Sequence, residues 1–452
     1  MTRADLHVHS RYSGRPSDWF LKRIGARESY TALEDLYQTA KARGMSFVTV
    51  TDHNTIESAL KLVEAHPENT FTGAEITAYF PENQCKVHLL VYDIDQRQFD
   101  HIDRIRRDIY ALRDYLRRQD IAHSVAHGTF SVNGRLTLET LEKLILLFDV
   151  FEGMNGARDI LFSQVWQATL MNLSPESIDR LYNKYAIEPF GFRPWIKGFT
   201  GGSDDHSGIF IANSYTTSTA DTREGFLESL KWRETRAAGR CNDFKSFAFS
   251  IYKITYEFTK HKTAGSTLNM LNAVSALLFD SPDPERRQVA FFEQFRRDER
   301  NRLVSRFVDD LLTDLLNNKN LGFEHKVDRI YHNVAILFDE YCVMFLRSFA
   351  GDIRSGNLAE ILKNISSSLP VIFLSAPFFT SIRHLSSNRK LLMDLRKKYL
   401  ASNGDDEKAV LWFTDTIKDL NGVCITLHDL LRTARKRERK LKIVVSKPDG
   451  VD

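Results

Sequence analysis

The chain has 452 residues, of which 42% are hydrophobic and 27% charged, and its formal net charge is +3. The length exceeds what one ordinary domain needs, the apolar content argues against disorder, and the near balance of charge excludes a whole-protein drive toward nucleic acid. Cys85, Cys241, Cys342 and Cys424 stand apart with no CxxC pair, which excludes a disulfide framework and fits a reducing cytoplasm.

The opening MTRADLHVHS carries no apolar stretch of the signal-peptide kind, and no run of about 20 strongly apolar residues marks a membrane span. Asp5–Ser10 reads as a short extended run, and Thr31–Arg43 has helical apolar spacing that Gly44 can stop. Ser46–Thr51 is β-branched and strand-like, and Thr55–Ala65 returns to helix. Val87–Tyr92 is a second clear strand, Phe99–Arg118 one helix rich in Arg and Asp, and Ile121–Ala126 a strand leading to His127-Gly128. Leu136–Leu147 is helical, Phe148–Phe151 apolar again, and Lys197–Ser203 runs into a Gly-Gly-Ser turn. Alternation of this kind predicts an α/β fold with a parallel sheet or barrel.

From about Thr222 to Arg439 the pattern is mainly helical, as in Ala290–Leu316, Val327–Phe349 and Leu358–Ile365, and the boundary falls near residues 213–225. Phe291, Phe292, Phe295 and Phe307 fit a core stripe. Ile365–Ile382 is uncharged but broken by prolines, which favours a buried or interfacial segment, with peripheral membrane contact an open use, over a full span. The basic residues Arg432, Arg435, Lys436, Arg437, Arg439, Lys440 and Lys442 suit a solvated helix end more often than anionic lipid or nucleic acid. Leu441–Ser446 (LKIVVS), followed by Pro-Asp-Gly, reads as a fresh strand opening a further domain.

Nine of the 14 histidines fall in the first 206 residues. In an extended strand His7 and His9 project to one face, as a shared metal ion would need, although such pairs are common as plain surface or core histidines. Asp52 and His53 follow Val48-Thr49-Val50, at the C-terminal end of a strand, where α/β folds gather ligands; a helix-capping Asp is the plainer reading. Glu75 lies inside an apolar stretch, where a carboxylate is costly unless paired or metal-bound, the alternative being a partly exposed edge strand. His88 and His127 would singly pass as satisfied core histidines, and His123 competes with His127. In Gly201-Gly202-Ser203-Asp204-Asp205-His206, Asp204 and His206 share a side, and the glycines allow close backbone approach.

DLHVHS, TDHN, the isolated Glu, two single histidines and GSDDH follow one another in an order that resembles the PHP (polymerase and histidinol phosphatase) superfamily over about residues 1–215. The resemblance implies a distorted (β/α)7-type barrel with His7, His9, Glu75 and Asp204 on a first metal, Glu75, His88 and His127 on a second, and His53 and His206 on a third. It implies zinc, manganese or iron, two or three ions in all, with Asp52 orienting a ligand. Many relatives place an Asp or His just after the first block; here Gly14 follows Ser13, and Asp18 lies at another spacing, so the site is dinuclear or trinuclear. The implied activity is hydrolysis of a phosphomonoester or small phosphodiester by a metal-bridging hydroxide. Arg15, Arg158 and Arg193 lie in loop-like stretches where a guanidinium can grip phosphate, Arg158 first among them, or simply face solvent. Two other readings stay open: a nuclease or nucleotide phosphodiesterase using the basic tail, and a non-catalytic, metal-stabilised scaffold. The whole chain also resembles proteins in which a PHP domain (1–215) and a helical region (222–440) precede a glycosyltransferase domain, which residues 441–452 would begin.

Overall fold

The computed structural model describes residues 1–14, 27–259, 279, 323–355, 375–400, 410–414, 422–437 and 439–445. Arg15, Asp18, the helices expected at 290–316 and 358–365, and most of the apolar stretch 365–382 lie outside the described residues. The chain divides into two compact units, Met1–Leu395 and Arg396–Asp452.

The first unit opens with β1 (Thr2–Asp5), α1 (Leu33–Ala42), β2 (Phe47–Val48), α2 (Glu57–Ala65), β3 (Gly73–Tyr79) and β4 (Lys86–Tyr92). It continues through α3 (Gln96–Ile105), α4 (Ile109–Arg118), β5 (Ala122–Val125), α5 (Leu138–Leu147), β6 (Val150–Asn155), α6 (Ile160–Met171), α7 (Pro175–Tyr185) and β7 (Gly198–Gly202). The helix expected over Phe99–Arg118 is two. Asp95 closes a capping box with Gln98 at the start of α3, and Asp108 accepts from the Tyr110 and Ala111 amides to start α4, so the chain turns between them.

Five strands form one sheet in the order β3-β4-β5-β6-β7. Only β5-β6-β7 is parallel; β4 runs antiparallel to both its neighbours. The expected βα alternation therefore fails between β3 and β4, which are joined by a short turn (residues 80–85) rather than a helix. Reversal of β4 has a consequence for the site: its N-terminal end, with His88, lies at the same edge as the C-terminal end of β5, and His88 O accepts from Ala126 N at 3.0 Å.

A second sheet has the order β2-β1-β8-β9, where β8 is Ser214–Ser218 and β9 is Arg236–Gly239. Between these two strands lies α8 (Arg223–Lys231), whose Phe226, Leu227 and Leu230 join Ala4, Leu6, Phe47, Phe71, Leu90 and Tyr92 in one buried cluster. The α/β core thus continues past residue 215, to β9. Single parallel bridges at Val8–Asp205, Val48–Thr70 and His53–Glu75 link the two sheets. The fold is α/β, and its ladders among the described residues do not close into a barrel.

Beyond β9 come α9 (Phe244–Thr259), α10 (Phe323–Ser355), α11 (375–385) and α12 (Arg389–Leu395). Helix α12 packs against α6. The second unit holds β10 (Val410–Thr414), α13 (Gly422–Lys436) and β11 (Leu441–Val445), with β10 and β11 paired in parallel. The terminal strand read from the sequence pairs with β10 as the second strand of a βαβ unit. The basic side chains from Arg432 to Lys442 are exposed along α13 and β11. No helix among the described residues is long and apolar enough to cross a membrane.

Candidate metal centre

Glu75, the third residue of β3, is fully buried and gathers five histidines. Its Oε2 lies 3.4 Å from His7 Nε2, 3.3 Å from His9 Nε2 and 2.8 Å from His53 Nδ1. Its Oε1 lies 2.6 Å from His88 Nδ1 and 3.2 Å from His127 Nε2. The two oxygens of one carboxylate thus face two different sets of imidazoles. Asp204, just past β7, places Oδ1 3.4 Å from both His7 Nε2 and His9 Nε2 and 3.7 Å from His206 Nδ1. All eight residues expected as ligands converge. His123 does not: its Nδ1 bonds the Ile121 carbonyl, and its ring packs on Phe148 and Phe190.

The strand expected to carry His7 and His9 stops at Asp5. Both imidazoles reach Glu75 and Asp204 from the segment that follows, where His9 N donates to Asp205 O and Thr51 N to Val8 O. Gly202 makes this possible, since a Cβ there would lie 2.3 Å from His7 Cβ. His127 and Asp204 adopt positive φ (27° and 49°), unusual for residues other than glycine, and are held there by bonds from His127 N to Glu152 Oε2 and from Asp204 N to His7 O.

Two carboxylates of the site had no signal that the sequence reading used. Glu152 on β6 sets His7: its Oε1 lies 3.0 Å from His7 Nδ1, while Oε2 accepts from Asn155 Nδ2. With Nδ1–H engaged, a neutral His7 turns its Nε2 lone pair to the cluster. Glu28 places Oε2 3.3 Å from His53 Nε2 and Oε1 3.8 Å from His206 Nε2. Its backbone N donates to Ser13 O at 3.3 Å, beside Gly14. The rings of His53, His9 and His206 stack, with centroids 4.6 and 4.0 Å from the middle ring.

Asp52 touches no histidine of the cluster. It accepts from Ser10 N, Ser10 Oγ and Ser13 Oγ. Because Ser13 spends its proton on Asp52, its oxygen accepts from His9 Nδ1–H (3.0 Å) and from His53 N, which leaves His9 Nε2 as a lone pair aimed inward. Asp52 therefore acts through Ser13 as a positioning group. Arg158, after β6, reaches the rim: NH2 is 3.6 Å from Asp204 Oδ2 and the guanidinium lies 3.5 Å from the centroid of Phe130. Arg193 is exposed on a turn whose carbonyl accepts from Arg233, away from the cluster.

Electrostatics follow from burial opposed by neighbours. Burial resists charge on His7 and His53, but carboxylates outweigh it (Asp204, Glu152 and Glu75 for His7, Glu75 and Glu28 for His53) and hold both pKa values well above the ordinary range. His9, buried between His206 and His53, is pushed down to about 3. Burial would raise Glu75 and Asp204, yet the surrounding histidines hold both well below the usual carboxylate range.

These donors fit divalent cations. Buried His7 Nε2, His9 Nε2 and His206 Nε2 make no hydrogen bond. The four distances from His7 and His9 to Glu75 and Asp204 are 3.3–3.4 Å, longer than good hydrogen bonds. Four ligands held at about 2.0–2.1 Å around one tetrahedral ion stand about 3.3–3.4 Å apart, the edge of that tetrahedron. Four overlapping triads have donor atoms within 4.8 Å of one another: His9-His53-His206, His7-His127-Asp204, His7-His9-Glu75 and His53-Glu75-His88. His127 thus neighbours the first expected set as well as the second, and His53 the second as well as the third.

No family model matches the chain. It is 35% identical over 77 residues to an uncharacterized protein of Methanocaldococcus jannaschii, a stretch of 16% of this chain and 43% of that protein, so the match spans less than half of the relative. Among solved structures, one from Bifidobacterium adolescentis, proposed to be a metal-dependent phosphoesterase, has a TM-score of 0.29 and 17% identity, covering 51% of this chain and 96% of that one. An amidohydrolase from Chromobacterium violaceum, with bound sulfate and no metal, has a TM-score of 0.30 and 13% identity, covering 50% and 96%. Likeness at this level assigns neither fold nor activity.

Proposed function

We propose that residues 1–239 form a metal-dependent hydrolase of the PHP type that cleaves a phosphomonoester or small phosphodiester. One observation carries the reading: Glu75 divides its two oxygens between His7, His9 and His53 on one side and His88 and His127 on the other, the arrangement of a carboxylate shared by two cations. The barrel of that superfamily is supported by the single-residue bridges that join the two sheets at Val8–Asp205, Val48–Thr70 and His53–Glu75.

In this reading His7, His9, Glu75 and Asp204 hold one ion, Glu75, His88 and His127 a second, and His53, His206 and Glu28 a third. Bound divalent ions of this kind supply an activated water and Lewis-acid stabilisation of phosphoryl oxygens. The chain's own residues do the rest. Glu152 and Ser13 fix the tautomers of His7 and His9, and Asp204 is steadied by Asn155, whose Nδ2 donates to Oδ2 at 3.1 Å. Arg158 stands at the rim near Asp204, placed to bind a phosphoryl oxygen as its negative charge grows. Histidine-rich donors with shared carboxylates suit zinc, manganese or iron.

The test is metal content and phosphate release from p-nitrophenyl phosphate and its bis ester, on protein purified without chelator. We expect two to three ions per chain, activity abolished by chelation, and recovery on adding back one of the three metals. A metal-loaded chain that releases no phosphate from either ester sinks the proposal; hydrolysis of amide substrates instead would redirect it to amidohydrolase chemistry.

A further inference from the structure

Helix α11 (375–385), far along the chain from the metal cluster, brings one side chain to the rim of the site. His384 Nε2 lies 2.5 Å from Arg158 NH1. Its ring stacks on Phe247 of α9 (centroids 4.7 Å apart, planes 13°) and sits 5.5 Å from Phe130. Phe130 in turn carries the Arg158 guanidinium on its face and meets His127 edge-on. Three elements of different parts of the sequence therefore converge on one guanidinium whose other amino group neighbours Asp204.

We propose that His384 is a positioning residue of the hydrolase site: by accepting a hydrogen bond from Arg158 it fixes that guanidinium for an anionic, phosphate-bearing substrate, so that the helical region is a working wall of the site. The inference rests on the phosphoesterase reading for the identity of the anion. The bond has only one chemically sensible direction. Arginine stays protonated and has donors only, so His384 must be neutral and accept through Nε2, carrying its proton on Nδ1. Burial and the adjacent Arg158 push His384 down to about 3, which keeps it an acceptor throughout the neutral range. A guanidinium set in place by a ring on one side and an aromatic face below has lost its rotamer freedom before substrate arrives, and preorganisation of this kind is expressed as affinity. Packing of α12 against α6, the helix that starts just after Arg158, anchors the neighbouring helix independently of His384.

The experiment uses the full chain, metal-loaded, with wild type, His384→Ala, His384→Gln, His384→Leu, Arg158→Ala and the Arg158→Ala/His384→Ala double variant. Metal content, kcat and KM on p-nitrophenyl phosphate, and Kd for inorganic phosphate by calorimetry are measured for each. His384→Ala should raise KM and the phosphate Kd about tenfold, the size of one charge-assisted hydrogen bond, with metal content unchanged and kcat moved much less. His384→Gln, whose Oε1 can accept near the position of Nε2, should recover most of the loss, and the double variant should bind no more weakly than Arg158→Ala alone. Additive losses in the double variant, loss of metal in His384→Ala, or failure of Gln to recover would overturn the assignment. Should the alanine variant not fold, Leu against Gln decides: a leucine variant that binds phosphate like wild type refutes it. Wild type that binds phosphate but hydrolyses no ester removes the phosphoesterase reading and leaves the His384 assignment standing on the Kd ratios; wild type that does neither removes both.

Discussion

Replacing Glu75 by Gln keeps the side chain's size and one acceptor oxygen but removes the charge that five imidazoles share. The magnitude can be set from the geometry. At an effective dielectric of about 20, a unit charge 2.8 Å from the carboxylate, the distance of the His53 ring whose pKa is held up, interacts with it by roughly 6 kcal/mol, and a bound cation in contact by no less. Desolvation of a fully buried group returns part of that, leaving about 3–4 kcal/mol lost per bound ion, or about 10²–10³ in affinity for each. Both ions that share Glu75 should weaken together, which distinguishes it from any residue serving one ion. We expect Glu75→Gln, purified without chelator, to carry at most one ion per chain and to lose at least about 10³ in kcat/KM for phosphate esters. Mass spectrometric metal counting and steady-state kinetics read both, with circular dichroism to show that the fold persists. A Glu75→Gln protein with wild-type metal content would refute the bridging role, and with it the reason for placing the chemistry here.

Glu28→Gln should remove one ion and leave the other two, because Glu28 faces His53 and His206, the pair of the third position; a count that falls by two or not at all contradicts a separate third position. Gly202→Ala should cost several kcal/mol in thermal or denaturant unfolding and also metal, since the added methyl lies 2.3 Å from His7 Cβ and 2.6 Å from His7 N; an unchanged melting point and metal count would show that His7 can yield. Proton linkage gives a further expectation. In the metal-free chain the raised His7 and His53 stabilise the fold fully below 6.5 and lose that contribution as pH climbs through their raised values. The lowered Glu75 and Asp204 contribute above 4.5 and 3.8 and lose that as pH falls through their lowered values, and His9, pushed down to about 3, adds a loss as pH falls from 6.5, so the metal-free melting temperature should fall on acidification below about 4.5. Near pH 7, metal binding should expel about two protons, from His7 and His53, visible by calorimetry in buffers of different ionisation enthalpy; uptake without proton release would mean those rings are neutral beforehand.

What could be read from the sequence, and what could not, divides along one physical line. His7, His9, His53, His88, His127, Asp204 and His206 each sit in or beside a short strand-like segment, and such segments end at one edge of the sheet, so local pattern was enough to nominate them. The same held for Glu75, a carboxylate stranded among apolar residues. Glu152 in Val150-Phe151-Glu152-Gly153 bears the same mark, buried at 3% exposure, and the rule applied to Glu75 would have found it. The β3-β4 reversal was likewise written in Phe80-Pro81-Glu82-Asn83-Gln84, a turn sequence too short for a crossover helix. Glu28 and His384 are of another kind. Glu28 lies in no strand and His384 on a helix remote in sequence, and neither neighbourhood differs from that of a surface residue until tertiary contacts deliver it. Both are held by partners that came from the legible set: His53 and His206 for Glu28, Arg158 for His384. Local pattern finds the groups that a strand end must present, whereas the groups that tune them arrive by packing. On the proposed function, variation at Glu28 and His384 should therefore tune ion occupancy and phosphate affinity, whereas variation at Glu75 should decide whether the site works at all.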